Sequence, residues 1–304
     1  MKKNDKNPLL NKREYTVEEK KIAQQARLKS MIKTAKYMSK NDIAFRLSST
    51  AGNYSLSSEH INVRTFQAIS SVSPKGLGFV NKVRSYVRKN DIVANFPTQY
   101  FEYDVEYMHA RQELRGKRFT NVVEVDIDQA YWDTAYQLGI ISKELYEIGS
   151  SDEITKQERM VCLGHFAKKV FVYDFRGEQL INSSIEKSTE TENLWYTICK
   201  RVSDVMGEIR NAIGENYIFF WVDGIYMVNS PESIEKATEI AAKYQYVMKV
   251  KKIDLIEGQE RGLIVQEDIL SDKKKRFNYV SNRQKKASEQ DEFLIKKCLE
   301  TLKS

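Results

Sequence analysis

The segment from Val122 to Ile127 constrains this chain more than any other. Its sequence, VVEVDI, is rich in β-branched side chains and predicts a buried strand. Asp126 lies at the end of that strand, and Glu124 has the same parity along it. A buried carboxylate without a partner is costly, so one at the end of a core strand usually has a partner or a metal ion.

A second carboxylate has a comparable setting. Asp223 lies at the tip of a predicted hairpin with aromatic and apolar arms, 217–222 and 225–228. If the two strands lie side by side, Asp126 and Asp223 meet, and they repel each other unless a divalent cation lies between them. Two-metal nucleotidyl transfer uses this arrangement. The residues alone leave an equal alternative open, in which Asp223-Gly224 is an ordinary type I′ turn and Asp126 is a solvated strand end.

The region around these carboxylates alternates between strand and helix patterns. Between 122 and 256 the predicted order is strand, helices, hairpin, helix, hairpin, helix, strand, which indicates an α+β fold with an antiparallel sheet backed by helices. The first hairpin turns at Gly177. The predicted helices are 129–148 with a break at Gly139, 151–169 with a cap at Ser151 or Asp152, 190–213, and 231–246.

The sequence before residue 120 has a weaker pattern. Residues 14–40 contain strong helix formers with no Gly or Pro and predict a basic helix. Residues 41–75 are rich in Ser, Thr and Asn, and we expect a loop with short elements there. A short basic helix is predicted for 79–89.

Charge is distributed unevenly along the 304 residues, whose net formal charge is +7. Residues 1–40 contain twelve Lys and Arg against four Asp and Glu, and 271–304 contain ten against five. Residues 121–270 contain sixteen against twenty-six. The basic ends predict a polyanionic partner, whereas the acidic middle does not. Residues 1–40 could serve either nucleic acid or a protein partner.

Several classes of protein are disfavoured. No stretch is apolar enough to span a membrane and the N-terminus is too polar for a signal peptide, so we expect no membrane association and a cytoplasmic location. Three cysteines without CxxC spacing argue against a disulfide framework or a structural zinc site. With only three histidines, a metal would have to be a hard cation held by carboxylates, such as Mg²⁺ or Mn²⁺.

The sequence also carries a resemblance to a known family. The stretch DIDQAY, 126–131, resembles the first palm motif of family B DNA polymerases, in particular the protein-primed members. WVDGIY, 221–226, is similar to the second metal motif of that family, although Trp221 stands where the family has its first Asp. The resemblance implies that Asp126 and Asp223 are catalytic metal ligands and that Tyr131 lies under the incoming sugar.

A third motif of the family is matched only in part. The family has a helical Lys that holds the triphosphate, followed by Asn and then Tyr-Gly. This chain has Lys156, Met160 and Leu163-Gly164 at the matching positions. The resemblance therefore implies that Lys156, with Arg159 beside it, contacts the incoming phosphates.

Two basic segments lie where the family contacts nucleic acid. The first follows an aromatic stretch upstream of the palm, and the second resembles the segment that leaves the palm and holds the primer. Their basic residues are Arg111, Arg115, Lys117 and Arg118, and Lys273, Lys274, Lys275 and Arg276. We expect them to hold DNA, or RNA, by its phosphates.

The resemblance divides the chain into four parts: a basic N-terminal helix or tail (1–45), a preceding region (46–120), a palm with inserted fingers-like helices at about 135–170 (121–270), and a minimal basic thumb (271–304). It implies a reduced DNA polymerase or primase-like enzyme of a phage or mobile element, located in the cytoplasm of a bacterial host. Its substrates would be a template, a primer and nucleoside triphosphates. The alternative is a palm that has lost catalysis and serves as a nucleic-acid-binding or structural module. A reverse transcriptase is a weaker third idea, because the hairpin has no paired Asp-Asp.

Overall fold

The computed structural model describes residues 17–50, 53–59, 62–63, 73–97, 99–111, 114–187, 189–259, 263–268 and 273–278. Its helices are α1 (Val17–Lys40), α2 (Pro74–Lys89), α3 (Ala130–Gln137), α4 (Lys143–Ser150), α5 (Lys156–Gly164), α6 (Thr189–Ile213) and α7 (Pro231–Lys243). Its strands are β1 (Phe45–Thr50), β2 (Asn53–Ser58), β3 (Asn62–Val63), β4 (Met108–Ala110), β5 (Arg118–Ile127), β6 (Lys169–Arg176), β7 (Gln179–Lys187), β8 (Tyr217–Trp221), β9 (Gly224–Val228), β10 (Met248–Gly258), β11 (Leu263–Asp268) and β12 (Lys273–Asn278).

The chain is an α+β protein that divides into two compact units. Unit 1 contains the described residues of 1–70 and 170–186, and unit 2 contains those of 71–169 and 187–289. In unit 1 a five-stranded sheet has the order β3-β2-β1-β6-β7, and α1 packs on it. The core between α1 and the sheet includes Met31, Met38, Phe45, Leu47 and Phe175.

Unit 2 contains a seven-stranded sheet with the order β12-β11-β10-β5-β9-β8-β4, and its neighbouring strands pair in antiparallel fashion. β5 lies at the centre between β10 and β9, as its apolar sequence requires. An order of this kind, with sequential hairpins and one central strand, brings residues from distant parts of the chain to a single sheet face.

The two faces of this sheet have different cores. Val123, Val125 and Ile127 belong to a cluster that also contains residues of α2 to α7. Val122 belongs instead to a cluster with Tyr226 and other strand residues, and no α-helical residue is part of that cluster among the described residues. Because side chains alternate along a strand, Glu124 and Asp126 lie on the same face as Val122, opposite the helices.

Most of the elements predicted between 122 and 256 are confirmed. The break in the helix at 129–148 falls at Gly139, which separates α3 from α4 and has a φ of +73°. The hairpin that turns at Gly177 is β6–β7, and the second hairpin is β8–β9. In the described part of the chain no helix is long and apolar enough to cross a membrane.

Other predictions were wrong in detail. The helix expected at 151–169 begins only at Lys156, because Thr155 and Glu158 form a capping box and Ser151 and Asp152 lie before it. Much of 41–75 was expected to be loop, but 45–50 and 53–58 form paired strands.

The basic segment at the start of the expected thumb is also different. Residues 273–278 form β12, the edge strand of the seven-stranded sheet, and Phe277 is buried in the core of the face opposite the helices. Residues 279–304, where most of the thumb was expected, lie outside the described residues, as do residues 1–16 of the N-terminal tail.

Candidate functional site

The two predicted carboxylates meet on unit 2. In the pairing of β5 with β9, Asp126 lies opposite Gly224, the residue that follows Asp223. The Ile127 amide donates to the Asp223 carbonyl oxygen at 3.0 Å, which fixes the register of the strand ends. Both side chains are partly buried. The juxtaposition expected from the sequence is therefore present.

Gly224 permits this close approach. A Cβ at position 224 would lie 3.2 Å from Asp126 Oδ1 and 3.6 Å from Glu124 Oε1, so both carboxylates lie against the space that a side chain would fill. A larger residue here would have to displace the Asp126 carboxylate. The glycine thus leaves room for the Asp126 carboxylate, which would have to shift by a few tenths of an ångström to admit a Cβ.

The turn that carries Asp223 is not the type I′ turn considered in the alternative. Trp221 pairs with Gly224, so the turn residues are Val222 and Asp223, and it is Val222 that has a positive φ, +63°. A β-branched residue is strained in the left-handed region. The Val222 amide donates to the Tyr107 carbonyl oxygen at 2.8 Å, and this bond helps to hold the turn in place. Strain of this kind is concentrated at functional sites.

Both carboxylates have a raised pKa. Burial, and then the charge of Asp223, raise the pKa of Asp126 to about 6, while Lys156 and Lys275 act in the opposite direction. Burial also raises the pKa of Asp223, and the charges of Lys156 and Lys275 oppose that rise. The elements α5 and β12, which are distant in sequence, therefore each place a lysine near the carboxylate pair.

A network of polar side chains extends from the carboxylates across the sheet. The Tyr226 hydroxyl donates to Glu124 Oε1 at 2.5 Å, and Lys275 Nζ donates to the Tyr226 hydroxyl at 3.3 Å. Lys275 Nζ also lies 3.8 Å from Glu124 Oε1 and 4.7 Å from the centre of the Phe277 ring. On the other side of β5, Lys249 lies opposite Asp126 and forms an ion pair with Asp128 at 2.7 Å.

The predicted phosphate contacts, Lys156 and Arg159, have different settings. Lys156 is the first residue of α5, is exposed, and lies within electrostatic range of both aspartates. Arg159 donates from Nη1 to the carbonyl oxygens of Gly149 at 2.8 Å and Ile154 at 3.1 Å. Its guanidinium therefore joins two segments of the main chain.

Tyr131 lies on α3, which begins three residues after β5 ends. It is 5% exposed, and its ring stacks on Trp195 with centroids 5.6 Å apart. The structure thus places Tyr131 in the helix-side core next to the end of β5.

The basic residues before and at the start of β5 that were expected to contact nucleic acid differ in their contacts and exposure. Arg111 Nη1 donates to the carbonyl oxygens of Glu215 at 2.6 Å and Tyr217 at 3.2 Å. Arg115 forms a parallel bridge with Gly258 near the start of β5, while Lys117 and Arg118 are exposed. The residues expected downstream, Lys273 to Arg276, lie on β12, where the side chains of Lys274, Lys275 and Arg276 are exposed.

Sequence reasoning missed how α5 is held. The Glu158 carboxylate accepts hydrogen bonds from the amide and hydroxyl of Ser73, at 2.9 and 2.6 Å, and from those of Thr155, at 2.9 and 3.1 Å. These bonds lower the pKa of Glu158 to about 2. Glu158 thus ties the N-terminus of α5, with Lys156, to the N-terminus of α2. The spacing T-x-x-E was the available signal.

Carboxylate oxygens suit a hard divalent cation. Mg²⁺ is usually bound by one or two carboxylates together with substrate phosphates and water, so Asp126 and Asp223 are an adequate protein contribution in donor type. Among the described residues, no group of three or more His, Cys, Asp or Glu side chains could hold a metal ion by itself.

Comparisons with known proteins add no identification. No protein-family model matches this chain, and no curated protein sequence matches it.

Proposed function

We propose that this protein is a template-directed nucleotidyltransferase, a DNA polymerase-like or primase-like enzyme with a palm-type sheet. One observation carries the proposal: β5 and β9 bring Asp126 and Asp223 together at adjacent strand ends, and Lys156 and Lys275 lie close enough to perturb both. Carboxylates with adjacent cations provide what phosphoryl transfer requires, namely positions for metal ions and countercharge for phosphates.

Asp126 and Asp223 would hold Mg²⁺ or Mn²⁺. When bound, such ions polarise the reacting phosphate and stabilise the attacking and leaving oxygens. Lys156 would neutralise the triphosphate as a point charge at the start of α5. Glu124, held by Tyr226, would add to the negative potential that attracts the cations.

The remaining roles follow from the resemblance. Tyr131 is buried in the helix-side core against Trp195, so the contact with the incoming sugar that the resemblance implies for it is not part of this proposal. The exposed basic residues of β12 would contact the phosphates of the primer or template, DNA or RNA. Arg159, because it is bonded to main-chain carbonyls, would support the position of α5.

The test is nucleotide incorporation. We expect the purified protein to extend a primer, or to synthesise de novo, with Mg²⁺ or Mn²⁺, and we expect the Asp223→Ala variant to lose this activity by a factor of at least about 10³, since a metal ligand is removed. Asp254→Ala, which removes a carboxylate elsewhere on the same sheet, is the matched control and should keep full activity. Equal incorporation by wild type and Asp223→Ala would reject the proposal.

A second candidate is a palm that binds nucleic acid without catalysis. It is favoured by Arg159, whose guanidinium is bonded to main-chain carbonyls, and by Trp221 at the position of the first family Asp. Thermal unfolding with Mn²⁺ separates the two candidates. An enzyme should gain stability with Mn²⁺ and lose that gain in Asp126→Asn, whereas a binding module should bind DNA with a steep salt dependence and show no response to metal.

A further inference from the structure

Helix α1 has one face that the proposed site does not explain. Met31, Ala35 and Met38 are buried against the sheet of unit 1. Lys29, Lys33 and Lys40 are exposed, and Tyr37 is 58% exposed. The spacing 29, 33, 37, 40 places these four side chains along one side of the helix, away from the buried one.

Among the described residues, no carboxylate compensates the charge of this exposed line. From Ala26 to Lys40 the sequence contains five basic residues and no acidic residue. Within the described part of the chain, no ion pair involves Lys29, Lys33 or Lys40, and like charges four residues apart, such as Lys29 and Lys33, disfavour a helix. A face that is merely solvated would be expected to mix charges of both signs.

On α4 and α7, where charges of both signs are mixed, exposed lysines form ion pairs with glutamates. Lys236 of α7 pairs with Glu232 at 2.7 Å, and Lys143 of α4 with Glu147 at 3.8 Å, each four residues apart. Lys243 of α7 lies 3.8 Å from Glu208. These lysines provide an internal standard, since they are also exposed but have carboxylate partners.

We propose that the Lys29–Lys33–Tyr37–Lys40 face of α1 binds single-stranded nucleic acid. Lys29 to Lys40 span about 16 Å of helix, enough to follow several phosphates of one strand. Tyr37, between Lys33 and Lys40, provides a ring on which a base can stack, as in proteins that bind single strands without sequence preference. A membrane surface would require bulky apolar residues along this face, and Tyr37 is the only large one among these four. The nature of the polyanion rests on the proposed function, but the contact itself does not require catalysis.

The test measures binding without synthesis. A labelled 20-nucleotide single strand is titrated with the full chain carrying Asp223→Ala, without divalent metal, over a range of salt concentrations. In the triple variant Lys29→Gln, Lys33→Gln, Lys40→Gln we expect the slope of log affinity against log salt to fall by about 2, since each lost phosphate contact on a single strand removes about 0.7. The affinity at low salt should fall more than tenfold.

The matched control is the triple variant Lys143→Gln, Lys236→Gln, Lys243→Gln, which removes the same net charge from paired lysines. It should keep the wild-type slope. For the aromatic, Tyr37→Ala should weaken binding about tenfold, because stacking of one base is lost, and Tyr37→Phe should not. Far-UV circular dichroism of each variant checks that α1 is retained.

Four results would overturn the inference. An equal loss of slope in both triple variants would mean that overall charge, not this face, determines binding. An unchanged slope in the α1 variant would exclude the contact even if the wild type synthesises nucleic acid. If Tyr37→Ala binds like wild type, or if duplex and single strand bind equally, the assignment to a single strand is wrong. Failure of the proposed function would appear separately, as absence of synthesis in the unmodified protein.

Discussion

The β5–β9 strand pair and the first turn of α5 both bring charged groups to the candidate site, but they do so by different means. Asp126 and Asp223 are fixed by main-chain pairing at adjacent strand ends. Lys156 is placed by a helix whose N-terminus is tied down by one carboxylate, that of Glu158. We infer that the sheet tolerates little displacement of its two carboxylates, and that the helix depends on a single polar junction.

Among variants that keep the charges of the site, the largest effect is expected from moving a carboxylate within the sheet. Asp223→Glu keeps the charge and the donor oxygens but displaces them by about one bond length, and a shift near 1 Å can reduce a rate by about 10². We therefore expect nucleotide incorporation to fall about 100-fold in single-turnover measurements. Glu178→Asp, the inverse change at the matching position of the β6–β7 turn, is the control and should have no effect. Near wild-type activity of Asp223→Glu would mean that the strand pair does not fix the ligand tightly.

Lys156 and Arg159, which lie three residues apart on α5, test how this helix contributes to the site. Lys156→Gln should raise KM for the nucleotide about tenfold or more with a smaller effect on kcat, because one charged contact to phosphate is lost. Arg159→Gln should instead lower the free energy of unfolding by about 1–3 kcal/mol, since the carbonyls of Gly149 and Ile154 lose their donor. Steady-state kinetics and urea unfolding distinguish the two. If Arg159→Gln raises KM while the unfolding free energy is unchanged, Arg159 contacts phosphate after all.

The junction that holds α5 should respond to pH. Hydrogen bonds to Ser73 and Thr155 lower the pKa of Glu158 to about 2 from its usual 4.5. A lowered pKa stabilises the folded state above the unfolded value, so the contribution of Glu158 is complete above about pH 4.5 and is lost as pH falls towards 2. From the size of the shift it amounts to at most about 3 kcal/mol.

Glu158→Gln should therefore lower the free energy of unfolding by about 2 kcal/mol at pH 7, and the difference from wild type should shrink below pH 4.5. Urea unfolding at a series of pH values measures this. Glu153→Gln, at an exposed carboxylate that pairs with Lys75 of α2, is the control and should change stability little. A difference between Glu158→Gln and wild type that stays constant from pH 7 to pH 3 would argue against the assigned hydrogen bonds.

The carboxylate pair could be predicted from the sequence because it depends on local patterns. A β-branched strand that ends in Asp126 and an aromatic hairpin that carries Asp223 are both visible in the residues, and antiparallel pairing of such strands brings their ends together. Helix breaks such as Gly139 were predictable for the same reason. The register that places Asp126 opposite Gly224 and Lys249 depends on three strands at once, so it was not available from any single segment.

The sequence was least informative where a side chain had several possible partners. Lys156 and Arg159 have the same charge and lie on one helix, but only the tertiary structure brings Arg159 within reach of two carbonyl oxygens. Lys275 was predicted as a primer contact from the resemblance of its segment to one that holds the primer, whereas its position beside Tyr226 depends on the pairing of β12 at the sheet edge. The cap of α5 was misplaced because Ser151 and Asp152 satisfy the same local preference as Thr155.

The smallest expected effect is a change in the free energy of unfolding caused by substitutions in the two hairpin turns, β8–β9 and β6–β7. Val222 and Gly177 both have positive φ, +63° and +54°, but only glycine adopts that region without strain. Val222→Gly should thus change the free energy of unfolding by less than about 1 kcal/mol, because relief of strain offsets the lost packing, whereas Gly177→Val should cost about 1–2 kcal/mol. Val228→Gly, at a partly buried position of β9 without positive φ, is the matched control and should cost clearly more than Val222→Gly. Urea unfolding compares all three, and equal losses for Val222→Gly and Val228→Gly would show that the turn bearing Asp223 is not strained.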